Sequence, residues 1–326
     1  MHLNKYDNIQ QCGYCKEEDS IFQYNTSDIR GNHYAIHRCS LCKAWFLAPR
    51  PNAEQLALAY DDSYYGEKEE KFKTPYIEQV LDLFRMGRSR RLAARIHQEA
   101  HILDIGCGNG KFLAYMNKMG SYHIYGVELE GNSALRASRV PGIQLKTGRL
   151  EAGDFETSSL DAITMFHVFE HLEEPKETLN MITQMLKPGG ILMMSFPNIN
   201  SFQARFFKGK WLHLDPPRHL FFFRHEDLLR IMSEFGYECK RTKYFSLEQN
   251  PFGMAQSLLN CLLKKREVLF EHLKGNNSYA PEYGSFNLLL QKAFFILGAP
   301  FFILGDIVMS SLKKSATVEY IFQKRD

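Results

Sequence analysis

Residues 101–112 read HILDIGCGNGKF: an apolar stretch runs into Asp104, glycines follow at 106, 108 and 110, and a helix is expected to begin near Lys111. Glycine is needed where a backbone turns sharply and must approach a ligand with no Cβ in the way, so this turn is expected to face a cofactor. A dinucleotide fingerprint would place its third glycine one position later, where the chain has Lys111, which disfavours nicotinamide. The next apolar stretch, HIYGVEL (123–129), carries Glu128 about twenty residues beyond the loop, where an acid can accept hydrogen bonds from both hydroxyls of a ribose.

Outward from this loop, residues 101–198 alternate short apolar runs with helix-length amphipathic pieces: KFLAYMNKM, SALRASR and ETLNMITQML separate HILDIG, HIYGVEL, LDAITMF and GILMMSFPN. Such alternation predicts an α/β fold, a doubly wound Rossmann-like parallel sheet with crossover helices on both faces. LKPGG (186–190) is read as a turn before the strand that follows it. Further on, the segment from Phe223 predicts a helix ending at Gly236 and then a strand, and TVEYIFQKR (317–325) predicts a last strand. There is no internal repeat.

LDIGCGNG, the acid in GVELE, LDAITMFHVFEHLEEP and MLKPGGILMMSFPN, in that order and spacing, resemble the successive motifs of class I S-adenosylmethionine-dependent methyltransferases. The resemblance covers roughly residues 102–198. It implies S-adenosyl-L-methionine as cofactor, with Asp104 reaching the methionine amine, Gly106, Cys107, Gly108 and Gly110 lining the cofactor, and Glu128 with Leu129 at the ribose. By the same resemblance the adenine lies near TGRLE, at Arg149, Leu150 and Glu151, and Phe166 and His167 close the site. The aspartate often seen in that adenine turn is missing here.

Cys12 and Cys15, then Cys39 and Cys42, form two CxxC pairs, a spacing that aims four thiolates at one tetrahedral ion, most naturally Zn2+. Four cysteines leave no open coordination position, so the metal is expected to be structural. The remaining cysteines, Cys107, Cys239 and Cys261, stand alone, which argues against a disulfide framework. Four parts follow: a zinc-ribbon-like module (1–50) closed by AWFLAPRP, lead-in helices (51–98), the methyltransferase-like domain (99–250), and a hydrophobic helical segment with the final strand (251–326). This arrangement resembles bacterial methyltransferases of sugar and polysaccharide biosynthesis, in which tyrosines such as Tyr60, Tyr64 and Tyr65 can fold over the cofactor.

Methyl transfer to an oxygen acceptor needs a base, and a histidine suits that task near neutral pH. Ligands of open α/β sheets bind beyond the carboxyl ends of the strands, which puts His167 at the mouth of the site. WLHLDPPRHLFFF (211–223) supplies the other candidates: His219 as base and Arg218 as clamp for a phosphate or carboxylate, beside His213 and Asp215. His167, Glu170 and His171 partly resemble the metal-holding cluster of quinone-type O-methyltransferases; His171 is read instead as fixing its loop. The expected reaction is methyl transfer to a small-molecule or lipid-linked acceptor, a sugar or polysaccharide precursor favoured. The alternatives are an RNA- or protein-directed methyltransferase gripping through the zinc module, or a binding protein that has kept the fold without catalysis.

The 326 residues are 44% hydrophobic and 24% charged, an ordinary globular composition. A net charge of +3, from 40 basic and 37 acidic residues, lacks the clustered basic excess of a nucleic-acid binder, and no nucleic acid partner is expected. MHLNKYDNIQ has no apolar core of the signal-peptide kind, so the expected location is cytoplasmic or the inner face of the membrane. Residues 288–309, LLLQKAFFILGAPFFILGDIVM, are the most apolar run, interrupted by Gly298, Pro300 and Gly305. They are read first as a broken helical hairpin, buried against the core or a homodimer partner, and second as a peripheral membrane contact through 286–310.

Overall fold

The computed structural model describes residues 11–60, 75–276 and 279–326; Tyr64 and Tyr65 lie outside the described residues. Three antiparallel strands come first, β1 (Ser20–Ser27), β2 (His33–Cys39) and β3 (Trp45–Ala48), then helices α1 (Ala53–Ala59) and α2 (Pro75–Ala93). Asn52 caps α1, accepting from the Gln55 N–H while the Gln55 side chain returns the bond.

The glycine loop then joins β4 (His101–Ile105) to α3 (Lys111–Asn117). β5 (His123–Glu128), α4 (Asn132–Ala137), β6 (Gln144–Thr147), β7 (Leu160–Phe166), α5 (Pro175–Met185) and β8 (Leu186–Pro197) complete the alternation. Beyond β8 come α6 (Phe202–Phe207), β9 (Phe221–Phe222), α7 (His225–Glu234), β10 (Tyr237–Lys243), α8 (Asn250–Leu262), α9 (Val268–Lys274), α10 (Ser285–Ser311) and β11 (Thr317–Lys324). The large sheet has the order β10-β11-β8-β7-β4-β5-β6, parallel from β8 to β6 and antiparallel at β11 and β10. Its order reverses beside β4, at the switch between β4–β5 and β4–β7, which opens a crevice at the carboxyl edge. The fold is thus the α/β, mostly parallel sheet that the alternation predicts.

Two details differ from the expectations. LKPGG is not a turn ahead of the strand: β8 starts at Leu186, and the bulge falls inside the ladder, where Leu160 faces Leu186 but Ala162 already faces Ile191. The final strand does not close a separate segment, because β11 lies inside the sheet between β8 and β10. The N-terminal module shares its structure with the rest: its sheet takes β9 as fourth strand, and one apolar core runs from Cys12, Cys39 and Phe46 to Met165, Phe169 and Phe221.

The apolar run is not broken. α10 is one helix through Pro300, held on both sides of the proline by the buried Gln291 and Asp306; a proline removes one ladder bond and bends a helix without ending it when the flanks are anchored. Nor is the run buried as a packed hairpin would be, since Leu297 and Phe301 are about three-quarters exposed, at 74% and 75%.

Candidate active site

The residues expected to hold a cofactor gather along one edge, at the carboxyl ends of β4 to β7. Asp104 is buried near the end of β4 and accepts a 2.6 Å hydrogen bond from Thr164 Oγ1, its register partner on β7. Burial is the largest influence on its carboxyl, which is pushed up to about 7. Gly106, Gly108 and Gly110 all have positive φ (67°, 57° and 71°). A Cβ on Gly106 would lie 2.4 Å from Val168 Cγ2, whereas one on Gly108 would meet nothing within 4 Å. The first glycine is a packing necessity, while the second borders the space a ligand would fill.

Glu128, the last residue of β5, accepts from the Gly108 N–H at 2.6 Å and the Leu129 N–H at 3.1 Å. Burial raises its carboxyl, and these two backbone donors offset part of that rise. Cys107 is buried beneath the loop, Leu129 is exposed, Leu150 sits three residues past β6, and the Phe166 ring packs edge-on against Phe112 at 5.0 Å. The turn after β6 is held by charge: Lys146 bridges Asp154 and Glu151, and Arg149 pairs with Glu173. An edge with fixed N–H donors, one anchored carboxylate and open space at Gly108 fits an adenosine cofactor.

His167 has φ 58° and its N–H donates to the Ser195 carbonyl at 2.8 Å. It lines an open cleft together with Phe84, Arg88, Ser195, Phe245 and Glu319. Arg88 stacks over the Phe166 ring at 4.9 Å and pairs with Glu248 at 2.7 Å; Arg91 makes a two-pronged pair with Glu319 at 2.9 and 2.7 Å. Lys243, also on the cleft wall, is pushed below the usual lysine range, first by burial and then by the charge of Arg91. Ser195 Oγ is buried with no hydrogen-bond partner among the described residues. Sequence reading missed this wall. Its signals were one acid inside the apolar strand TVEYIF and arginines spaced for one face of α2, neither distinctive without the fold.

Behind His167 lies a cluster drawn from three segments. Glu170 is fully buried and neither carboxylate oxygen makes a hydrogen bond among the described residues. His167 Nδ1 is 3.4 Å and His219 Nε2 3.9 Å from it. Burial would raise Glu170, but the ring of His167 and the charge fields of His219 and His171 outweigh it, so the carboxyl lies below its ordinary range. His171 Nδ1 lies 3.0 Å from the Arg218 carbonyl and 2.9 Å from the Tyr60 hydroxyl. His219 Nδ1 lies 2.8 Å from the His213 carbonyl. A carbonyl only accepts, so both imidazoles carry a proton on Nδ1, and His219 Nε2 faces the Glu170 and Asp215 carboxylates at 3.9 and 3.7 Å.

Of the three residues expected to carry the reaction, only His167 lines the cleft. His219 is buried behind Glu170, and Arg218 is locked in a two-pronged pair with Asp215 while donating to the Ala59 carbonyl. The guanidinium expected to clamp a substrate thus holds the Asp215–His219 loop together, because a planar donor fork finds its carboxylate three residues away.

The four paired cysteines meet. Their Sγ atoms all lie within 4.8 Å of one another, with Cys12–Cys42 at 3.6 Å and Cys15–Cys39 at 3.5 Å. Those separations exceed a disulfide bond and match the edge of a tetrahedron with Zn–S bonds of about 2.3 Å. The donor set fits zinc.

A family profile described as "Methyltransferase domain" matches residues 76–241, just over half of the chain. The chain belongs to this methyltransferase-domain family. Among curated relatives, it is 28% identical over 106 residues to a ubiquinone biosynthesis O-methyltransferase of Hahella chejuensis, covering 30% of this chain and 44% of that one. It is 27% identical over 204 residues to the protein of the same name from Aromatoleum aromaticum, covering 58% and 83%. The chain spans about half the length of most of the curated relatives it matches. Among solved structures, the 4+2 cyclase SpnF superposes with a TM-score of 0.50 at 16% identity, covering 80% of this chain and 86% of that one, a likeness of fold alone.

Proposed function

We propose that the chain transfers a methyl group from S-adenosyl-L-methionine to a hydroxyl of a small-molecule or lipid-linked acceptor. The observation that carries this reading is the meeting of the cofactor edge and the cleft at one residue, His167, with Glu170 behind it. When bound, the cofactor supplies an electrophilic methyl on a sulfonium. The acceptor oxygen would displace the sulfur of the cofactor, with S-adenosylhomocysteine as the leaving product, and His167 would take the hydroxyl proton and pass it to solvent. With Nδ1 toward Glu170, His167 presents Nε2 as the base, and the buried carboxylate stabilises the imidazolium. His219 and Asp215 act as positioning residues on Glu170. Phe84 and Phe245 favour an aromatic hydroxyl, in keeping with the O-methyltransferase names of the relatives; a sugar or polysaccharide precursor is the comparison substrate. Cys12, Cys15, Cys39 and Cys42 hold a structural Zn2+ that braces the acceptor side.

The test pairs calorimetry with turnover. His167→Asn, which tolerates the positive φ, should lower methyl transfer about 100-fold while binding S-adenosylhomocysteine as the parent does. A fully active variant overturns the base assignment, and a folded parent that binds no S-adenosylhomocysteine overturns the function. Turnover of a sugar hydroxyl but not a phenol would move the acceptor class.

A further inference from the structure

A helix at the surface of a soluble protein turns its polar side to water. α10 does the reverse. Phe286, Leu289, Ile296, Leu297, Phe301 and Leu304 are 60–75% exposed and recur at helical spacing along one stripe. Of the polar residues inside the run, Gln291 and Asp306 are buried, and Lys292 is half-buried. Asp306 accepts from Asn250 Nδ2 and Ser315 Oγ, each at 2.8 Å, and Gln291 donates to Asn287 at 2.7 Å. The helix is 27 residues long, and the stripe from Phe286 to Leu304 covers about 27 Å of it, beyond the scattered apolar residues of an ordinary surface.

The stripe has a rim, and the rim is basic. Phe202 donates its N–H to the Lys314 carbonyl at 2.9 Å, which sets α6 beside the end of α10. There the exposed Phe202 and Phe206 rings stack at 5.6 Å, among the exposed Arg205, Lys208, Lys210 and Lys313. Neither 201–210 nor 285–314 contains an acid except the buried Asp306. An apolar stripe edged by aromatics and uncompensated cations is the complement of an anionic lipid surface.

We propose that α10 and α6 dock the protein, lying in plane, on an anionic membrane surface. Insertion across the bilayer would carry Asp306 into hydrocarbon and tear it from Asn250 and Ser315; lying flat keeps both contacts and buries only the outer stripe. Two copies packed stripe to stripe would bring like-charged rims together, which disfavours a dimer there. The inner side of the docked helix adjoins the cleft. Ser246, on the cleft wall, donates its N–H to Asp306 at 3.4 Å, and the cleft residues Thr317–Glu319 follow the helix in sequence. If the reading of methyl transfer holds, docking selects a membrane-dissolved or lipid-linked acceptor; docking itself needs neither cofactor nor acceptor.

Flotation of the full chain, without cofactor, with vesicles of about 70% phosphatidylcholine and 30% phosphatidylglycerol tests this. The parent should float with these vesicles and several-fold less with phosphatidylcholine alone. Leu297→Glu with Phe301→Glu should cut flotation about tenfold at unchanged melting temperature and unchanged S-adenosylhomocysteine affinity. Arg205→Glu with Lys210→Glu should lose the preference for anionic vesicles, and decides the matter if the first pair fails to fold. A parent that sediments with both vesicle types overturns the proposal. So does a dimer, seen by light scattering, that the Leu297→Glu and Phe301→Glu pair splits.

Discussion

The two halves of the carboxyl edge are built by different means. On the half proposed for the cofactor, from β4 to β6, backbone does most of the work: three glycines in the left-handed region, two N–H donors on Glu128, and Asp104 braced by one hydroxyl. On the acceptor half, side chains from α1's C-cap, the turn after β7 and the loop before β9 converge on Glu170, with Tyr60, His171 and His219 separated by up to 159 residues in the chain. A half made of local backbone fails when one residue is too large. A half assembled from distant segments fails when anything that holds those segments moves.

The largest expected effect breaks the cofactor half alone. Gly106→Val combines a φ of 67° with a Cβ placed 2.4 Å from Val168, so S-adenosylhomocysteine binding should fall at least about 100-fold. Gly108→Ala, at similar φ but with open space, should retain the fold and lose affinity chiefly through the ligand. Equal melting temperatures for the two variants, read by calorimetry, would show that Gly106 is not a packing position.

Next in size, removing the metal should break the acceptor half and spare the other. β3 pairs with β9, and the Leu47 N–H bonds the Leu220 carbonyl beside His219, so the cysteine module grips the loop that carries the histidines. Metal analysis should find about one zinc per chain. Chelation, or Cys39→Ser, should lower methyl transfer about tenfold or more with S-adenosylhomocysteine affinity nearly kept, since structural zinc supplies folding energy to its own module. Loss of both activities together would mean that the module supports the whole sheet.

The smallest effect is in pH, where the halves have opposite signs. Burial pushes Asp104 up to about 7, so its folded state holds a proton the unfolded chain releases. That contribution is complete below about pH 4 and is lost as pH rises through about 7. Burial pushes His171 down to about 4 and His213 to about 3. Their contribution is present above the ordinary histidine value and is lost as pH falls from there toward about 4 and about 3. Melting temperature against pH should therefore lose its alkaline-side decline in Asp104→Asn and part of its acid-side decline in His213→Asn. Unchanged slopes in both variants would show that neither burial is felt by the folded protein.

The sequence by itself determined the glycine-loop half, proposed to hold the cofactor, because its requirements are local. Glycine spacing encodes left-handed backbone, an acid at the end of the next strand encodes a donor-fixed carboxylate, and alternating apolar runs encode a parallel sheet. The paired cysteines were legible for the same reason, since a short spacing constrains where thiolates can point. Only the tertiary structure decided what lies opposite. Arg88, Glu248 and Glu319 became a cleft wall because β11 enters the sheet between β8 and β10, and Arg218 left the substrate side because Asp215 stands within its reach. The apolar run carried its composition in the sequence but not its direction: only packing against α8 showed that α10 turns Gln291 and Asp306 inward and its apolar stripe out.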